Sequence, residues 1–148
     1  MTTTRHKRGA TMGRFSVDVE LANNDDLAFL RRGKLRADQV RRCTVRGVVD
    51  SGAAMLVIPA RVATQLGLIE TGKTRVRYAN QRTALRSRFG GISLTCLGRS
   101  STFDAIVEPK RNDALIGAIV LETLDFVVDC TNQRLVPRDP KYPFYEIE

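Results

Sequence analysis

One short stretch of the sequence combines residue types that acid–base chemistry needs. The apolar pair Val48 and Val49 leads directly into Asp50, which is followed by Ser51 and Gly52. A carboxylate at the end of a buried strand must be paired or hydrogen-bonded, because otherwise burial keeps it protonated. The serine hydroxyl can bind neighbouring backbone, and the glycine lets another backbone or a substrate approach closely and adopts turn angles that other residues avoid. Asp-Ser-Gly is also a common turn, so the tripeptide alone leaves a structural and a catalytic interpretation open.

The composition limits the classes of protein that could carry this stretch. The chain has 148 residues, of which 43% are hydrophobic and 27% charged, so it is neither disordered nor fibrous and is long enough for one domain with an ordinary core. Residues 1–13, which include the lone His6, are predicted to form a disordered basic tail, and residues 14–148 the domain. No apolar run is long enough to cross a membrane.

The cysteines give no sign of a disulfide framework or a metal site. Cys43, Cys96 and Cys130 are three in number and widely spaced, without a close pair. We expect all three to be buried as small hydrophobic residues in a reducing compartment. The sequence therefore predicts a cytoplasmic protein that needs no metal and no cofactor.

The positive charge is concentrated in one part of the chain. The net charge is +8, and residues 71–103 contain seven basic residues and no acid. Such a local field attracts acidic peptides or nucleic acids, although arginines on a solvated hairpin also serve only to keep it soluble. Aromatic residues are sparse among these arginines, which makes nucleic acid the less favoured partner.

The spacing of apolar residues predicts mostly strands. The predicted strands are 15–21, 43–49, 55–58, two runs within 74–98 joined at 80–83, 102–108, 126–129 and 134–136, and residues Tyr142–Glu148 are also β-prone. Pro59 and Gly67 bound a short helix over 60–66, and Asn112 is placed to cap a helix from near Ala114 to Thr123. Residues 27–42 are expected to form a loop with one helical turn.

Two motifs in this order resemble the retropepsin-like aspartic proteases, the single-domain kind of retroviruses and of free-standing bacterial proteins. Val48 to Ile58 matches the family pattern of an apolar pair, Asp, Ser or Thr, Gly, Ala or Ser, and a return to apolar strand. Ala114-Leu115-Ile116-Gly117, followed by residues 121–129, matches the second pattern near the end of the domain. The resemblance covers roughly residues 15–137.

The resemblance implies an all-β, mainly antiparallel barrel or sandwich with one short C-terminal helix, and an aspartic endopeptidase acting on a peptide or protein. Hydrolysis by this route needs two carboxylates that share one proton, because like charges about 3 Å apart do not both ionise easily. One chain supplies one such residue, Asp50. The second must come from Asp50 of a partner, which predicts a homodimer, and terminal residues such as Tyr142–Glu148 would reinforce its interface.

The resemblance also assigns expected roles to the neighbours of Asp50. Ser51 would hydrogen-bond across the two-fold axis, Gly52 would keep the loop tight and Ala53 would pack beside it. The second motif, Leu115, Ile116 and Gly117, would lie behind the loop as structural support without chemistry of its own.

A hairpin near Val76–Ser87 corresponds to the flap that covers the cleft in this family. Its candidate residues are Tyr78, Ala79, Asn80, Gln81 and Arg82, and the tip lacks the glycine that is common there. Flap arginines would favour acidic peptide segments. Two other functions stay open: a catalytically silent member of the fold that dimerises or binds peptides, and a small basic nucleic-acid-binding β-domain.

Overall fold

A computed structural model describes residues 14–148, and strands make up most of its regular structure. The nine strands are β1 (Phe15–Asn23), β2 (Arg42–Val49), β3 (Leu56–Pro59), β4 (Glu70–Arg77), β5 (Thr83–Cys96), β6 (Arg99–Glu108), β7 (Ala114–Ile116), β8 (Phe126–Asp129) and β9 (Arg134–Pro137). The helices are α1 (Asn24–Arg31), α2 (Ala60–Gln65) and α3 (Ala118–Leu124), with a 3₁₀ turn at Ala37–Gln39. The predictions for residues 1–13, including His6, lie outside the described residues.

Six strands close into a barrel. They follow the order β1-β2-β7-β3-β6-β5, and β5 pairs back onto β1, while β4 extends the sheet beyond β5. The pairs β2–β7 and β3–β6 are parallel, and the other strand pairs in the described chain are antiparallel. The predicted all-β, mainly antiparallel barrel with a short helix towards the C-terminus is confirmed.

Strand β5 reaches both the barrel and the hairpin because it bends near its middle. Its register on β6 shifts between Phe89 and Ile92, and Gly91 adopts a φ of 74°, which an L side chain disfavours. The residues before the bend pair with β4, and Ile92 to Thr95 pair with β1. The bend therefore lets one strand close the barrel and also carry a hairpin outside it.

The barrel interior is filled by aliphatic side chains from facing strands. Leu21, Val49, Leu94 and Ile116 are completely or almost completely buried, and Leu124 of α3 joins the same core. Burial of such side chains is the main term that stabilises the fold, at about 1.5–3 kcal/mol each. None of the helices in the described part of the chain is long and apolar enough to span a bilayer.

The prediction of a loop with one helical turn over residues 27–42 misses the start of α1, which is a helix of about two turns over Asn24–Arg31. The side chain of Asn23 accepts a hydrogen bond from the amide of Asp26, which caps the first turn. The helix dipole interacts favourably with the acidic residues Asp25 and Asp26 in the first turn and with the basic Arg31 in the last turn. The Asn-Asn-Asp-Asp run that ends β1 is thus also a helix start.

The predicted helix from Ala114 to Thr123 begins too early. Ala114–Ile116 form β7, paired in parallel with residues 47–49 of β2, and α3 starts at Ala118. Asn112 lies in the preceding loop and does not cap it. The helix prediction failed because three apolar residues fit a buried strand as well as a helix turn.

The β-prone segment Tyr142–Glu148 is not a strand in this chain. Its backbone is bound by side chains instead: Arg138 Nη2 donates to the carbonyl of Phe144 at 2.6 Å, and Asp125 Oδ2 accepts from the Phe144 amide at 2.8 Å. These side chains take the donors and acceptors that a strand partner would use. The ring of Phe144 also lies under the guanidinium of Arg138.

The cysteines are free, but they are not all buried. Cys96 lies in the core, where burial raises the pKa of its thiol to about 11 and leaves it protonated. Cys43 is half-buried and its pKa is also raised by burial. Cys130 is exposed, against expectation, because it follows β8 in the turn towards β9.

A buried polar cluster joins α1 to the barrel. The carboxylate of Asp26 accepts from Arg41 Nε at 2.8 Å, from Arg41 Nη2 at 2.9 Å and from the Arg41 amide at 3.0 Å. Asn23 donates to the carbonyl of Leu66 at 2.9 Å. The hydrogen bonds from Arg41 lower the pKa of Asp26 below its ordinary value.

We predict that Asp26→Asn lowers the free energy of unfolding by roughly 1–2 kcal/mol, since Arg41 loses its charged acceptor but is itself half-exposed. Because folding depresses the pKa of Asp26, its contribution is present above about pH 4 and is lost as the pH falls through the lower folded value. Urea denaturation of both proteins between pH 7 and pH 2 measures this difference.

The matched control is Asp38→Asn, because Asp38 and its partner Arg36 are both largely exposed. This substitution should leave stability almost unchanged. A difference between wild type and Asp26→Asn that persists undiminished at pH 2 would contradict the assignment.

Candidate active site

The loop that carries Asp50 is fixed by backbone hydrogen bonds on both sides. The Asp50 amide donates to the carbonyl of Ile116 at 3.1 Å, which continues the pairing of β2 with β7. The Ala53 amide donates to the carbonyl of Asp50 at 3.1 Å and closes a turn. The position of Asp50 is therefore set by the sheet and not by its own side chain.

The carboxylate of Asp50 is partly buried, with 18% of its side chain exposed. Oδ1 accepts a hydrogen bond from the Gly52 amide at 3.0 Å, and Oδ2 lies 3.0 Å from Nη2 of Arg14. A side chain at residue 52 would begin 3.2 Å from Oδ1, a tighter contact than most real side chains show. Gly52 does not have a positive φ, so its backbone conformation does not require glycine. The absence of a side chain leaves space beside the carboxylate of Asp50.

Gly117 brings the second motif against the back of this loop. A carbon added at Gly117 would lie 2.4 Å from the carbonyl oxygen of Met55 and 2.8 Å from that of Ala53. The amides of Ala118 and Ile119, in the first turn of α3, donate to the carbonyls of Ala53 at 2.7 Å and of residue 54 at 3.0 Å. The loop therefore caps the helix, and the helix holds the loop.

The other predicted residues of the two motifs occupy different environments. Ser51 is exposed, and its side chain makes no hydrogen bond within residues 14–148. Ala53 is half-buried and acts through its backbone carbonyl. Ile116 is buried in the barrel core, whereas Leu115 is half-buried and faces a cavity.

The cavity opens beside the Asp50 loop and has a volume of about 520 Å³. Its walls are the loop Gly52–Met55, the strand and tip residues Thr74–Tyr78 of the β4–β5 hairpin, and the ends of β6 and β7. Most of the lining is apolar. The hairpin thus forms one wall of a cleft, and the loop that follows Asp50 forms another.

Glu108, at the end of β6, ties the hairpin to the barrel. Its Oε2 accepts from the hydroxyl of Tyr78 at 2.7 Å, and its Oε1 from Nε of Arg86 at 2.7 Å. Only 16% of the Glu108 side chain is exposed. Burial and the bond to Glu108 raise the pKa of Tyr78.

Comparison with known proteins identifies the family. The family model of aspartyl proteases matches residues 34–120, more than half of the chain, and the matched range includes both Asp50 and Gly117. This chain belongs to the retropepsin-like aspartyl proteases.

One solved structure with similarity to the chain is the foamy viral protease-reverse transcriptase in complex with an RNA/DNA hybrid. The two are 18% identical with a TM-score of 0.45, and the match covers 65% of this chain and 11% of that one. No match was found among curated proteins.

The hairpin tip of this aspartyl protease is a tight turn without glycine. The Tyr78 amide donates to the carbonyl of Arg82 and the Gln81 amide to that of Tyr78, both at 2.9 Å. Gln81 has a φ of 71°, and the side chain of Asn80 accepts from the Arg82 amide at 3.0 Å. Ala79 and these three tip residues are exposed, whereas Tyr78 is half-buried.

Sequence reasoning missed two residues of the site, Glu108 and Arg14. Glu108 ends an apolar strand just as Asp50 does, and this shared pattern of a carboxylate after buried residues could have found it. Nothing in the sequence connects Arg14 with Asp50. No group of three or more His, Cys, Asp or Glu residues placed to hold a metal ion occurs within residues 14–148.

We predict that Gly117→Ala lowers the free energy of unfolding by about 3 kcal/mol or more, because the added methyl group would press on backbone atoms that cannot move aside independently. The loop that carries Asp50 would shift with it. Chemical denaturation measures the first effect, and hydrogen exchange at the amides of residues 50–55 measures the second.

Gly33→Ala is the control for this prediction, since nothing lies within 4 Å of a carbon added there and only its left-handed backbone is strained. It should cost about 1 kcal/mol. Equal losses for the two variants would mean that the approach of Gly117 to the loop is not what makes the glycine necessary.

Tyr78→Phe should remove a stability contribution that depends on pH. Because folding raises the pKa of Tyr78, the contribution is complete below about pH 10, where an unfolded tyrosine is still neutral, and is lost as the pH rises through the higher folded value. Urea denaturation at pH 8 and pH 11 should show a larger loss for wild type than for the variant.

Tyr142→Phe serves as the control, because Tyr142 is 73% exposed and its hydroxyl makes no hydrogen bond within residues 14–148. That variant should lose as much stability as wild type between the two pH values. A Tyr78→Phe protein that behaves like wild type at both would refute the role of the bond to Glu108.

Proposed function

We propose that the protein is an aspartic endopeptidase in which a water molecule is activated by two Asp50 carboxylates, one from each chain of a homodimer. The observation that carries this proposal is the position of Asp50. It stands at the end of a core strand, on a loop held by β7 and α3, beside a cleft of about 520 Å³. The family match spans this whole arrangement.

The mechanism follows from two carboxylates that share one proton. The ionised carboxylate takes a proton from the water while the oxygen of the water attacks the scissile carbonyl carbon. The protonated carboxyl donates its proton to the carbonyl oxygen. The carboxyl that took the proton from the water then gives it to the amide nitrogen, while the other carboxylate takes a proton from a hydroxyl of the diol. The carbon–nitrogen bond breaks, and a carboxylic acid and an amine leave. Neither step requires a metal ion or another cofactor.

The second carboxylate would come from another chain, because residues 14–148 of one chain offer the cleft no free one. Glu108, the single acid that lines the cavity, is bound to Tyr78 and Arg86. Ser51 and Gly52 are exposed beside Asp50 and are available to meet the same loop of a partner. A two-fold axis through this point would bring the two Asp50 side chains together.

The roles of the surrounding residues complete the proposal. Ser51 would hydrogen-bond across the axis, while Gly52 and Ala53 keep the loop compact and Leu115, Ile116 and Gly117 support it from behind. The hairpin around Tyr78–Arg82 would serve as a flap over the substrate. The domain spans residues 14–148, with residues 1–13 as a basic tail.

The dimer interface would also include the C-terminal segment. Tyr142, Phe144, Tyr145 and Ile147 are all more than half exposed, an unusual density of large apolar side chains for a surface. A specific interface typically buries about 800 Å² on each partner, more than the short Asp50 loops supply alone. The three free thiols fit a reducing compartment, and we propose the cytoplasm.

The ion pair between Arg14 and Asp50 favours one alternative, a catalytically silent member of the family that binds peptides or dimerises. Nη2 of Arg14 lies 3.0 Å from Oδ2 of Asp50, whereas catalysis requires a carboxyl oxygen that is free to share a proton with its partner. In an active dimer, Arg14 has to release Asp50. Arg14→Ala should then be at least as active as wild type, while a silent protein would gain no activity from the change.

Asp50→Asn should reduce peptidase activity by at least about 1,000-fold, because the amide can neither accept the proton of the water nor share one with its partner. The measurement is the cleavage of a denatured protein substrate by purified wild type and variant. Circular dichroism and sedimentation equilibrium on the same samples should show an unchanged fold and an unchanged dimer.

Asp18→Asn is the control, since Asp18 is an exposed carboxylate on the neighbouring strand β1. It should keep full activity. Undiminished cleavage by Asp50→Asn, or a wild-type protein that stays monomeric at high micromolar concentration and is still active, would rule out the proposed mechanism.

A further inference from the structure

The cavity beside Asp50 carries positive charge that the proposed chemistry does not use. Three of its lining residues are arginines, Arg75, Arg77 and Arg111, and one is an acid, Glu108. Both oxygens of Glu108 are already hydrogen-bonded, at 2.7 Å each. The lining therefore presents cations whose counter-charge is not supplied by the cavity itself.

Two other arginines of the hairpin are already paired with acids and do not add to this charge. Arg86 is bound to Glu108 at 2.7 Å, and Arg88 to Asp104 at 3.1 Å. Arg75 and Arg77 alternate with the half-buried Val76 along β4 and are exposed, so they add to the positive field at the entrance. These hairpin arginines, which are expected to bind acidic segments, are therefore either paired with acids or exposed. The third arginine of the cavity lining, Arg111, lies on another wall.

Arg111 is the cation that is built into the cavity wall. Its Nε donates to the carbonyl of Asp113 at 3.1 Å and its amide to the carbonyl of Glu108 at 3.2 Å, which hold the side chain and backbone in the loop between β6 and β7. It is half-buried and forms no ion pair within residues 14–148. The terminal amino groups of its guanidinium remain available to a ligand.

Another part of the cavity lining is apolar, and we call it the floor. It consists of the side chains of Met55, Val57, Ile106, Leu115 and, from the hairpin, Val76. Such a floor accepts the methylene groups of a side chain but gives nothing to bind a polar end. A ligand that fills the cavity and also satisfies Arg111 needs an apolar stem and a carboxylate.

We propose that this cavity is the binding pocket for an acidic substrate residue, glutamate in preference to aspartate, and that Arg111 determines this specificity. The inference rests on the proposed peptidase function and names its substrate class as acidic peptide segments. A guanidinium binds a carboxylate through two parallel hydrogen bonds, a geometry that an amide or an ammonium group does not reproduce. The second methylene of glutamate lets the carboxylate reach the wall while its stem contacts the floor.

The test is a set of peptide pools in which one position is fixed as Glu, Asp, Gln or Lys and the other positions are random. At one position, wild type should cleave the Glu pool about 10- to 100-fold faster than the Gln pool, as expected for a charge-assisted hydrogen bond. Arg111→Ala should reduce this ratio to about 3 or less, and Arg111→Glu should invert it in favour of Lys. Arg111→Lys should recover part of the preference.

Arg46→Ala is the matched control, because Arg46 is an exposed arginine on β2 that does not line the cavity. It should keep the preference of wild type. Thermal unfolding of each variant checks that the loop of Arg111 still folds. Cleavage by wild type without a Glu preference at any position, or a preference that survives in Arg111→Ala, would overturn the inference while leaving the peptidase function in place.

A binding measurement separates failure of the pocket from failure of the chemistry. The Asp50→Asn protein, immobilised as the full chain, should retain peptides from the Glu pool over the Gln pool, and the additional change Arg111→Glu should abolish the difference. If no pool is cleaved but this preference is present, the pocket is correct and the peptidase function is wrong. If the preference is absent, or if a single-stranded oligonucleotide binds through Arg111 more tightly than the Glu pool, the pocket assignment is wrong.

Discussion

The close contact between the backbone at Gly117 and the loop that follows Asp50 holds the candidate site together. The carbonyls of Ala53 and residue 54 accept the first amide hydrogens of α3, and no side chain larger than hydrogen fits between them. One interaction thereby caps a helix and fixes a loop without any charged group. The backbone of Asp50 is thus held beside apolar core strands by the sheet, and its carboxylate is not needed to hold the loop against α3.

A second constraint is that the two carboxylates at or beside the cleft within residues 14–148, Glu108 and Asp50, both have partners. Glu108 is occupied in anchoring the hairpin, and Asp50 is paired with Arg14 in the isolated chain. The proposed proton-sharing pair therefore depends on assembly, because its second carboxylate would come from Asp50 of a partner. Because Glu108 is occupied in this way, it does not pair with Arg111, and the proposed specificity for acidic side chains depends on the same anchoring that positions the hairpin.

Much of the barrel could be predicted from the sequence, because alternating apolar residues such as those of β1 fit a half-buried strand and little else. Short apolar runs were harder. Ala114–Ile116 became a strand because β2 offers it a parallel edge, which is a tertiary effect. Asp50 and Gly117 could be found because their neighbours form a recognisable pattern. The pairing of Glu108 with Tyr78 and Arg86 could not, since it joins side chains that lie 30 and 22 residues apart in the sequence and meet only when the hairpin packs beside the end of β6.

In the proposed mechanism one active site uses Asp50 from two chains, and this can be tested by mixing the wild-type protein with the Asp50→Asn variant. After equilibration at equal concentrations, random pairing makes about half of the dimers mixed, so cleavage per wild-type chain should fall to about one half, and to about one tenth at ninefold excess of the variant. Activity per wild-type chain that stays constant at every ratio would contradict the account, because each chain would then act with its own residues alone.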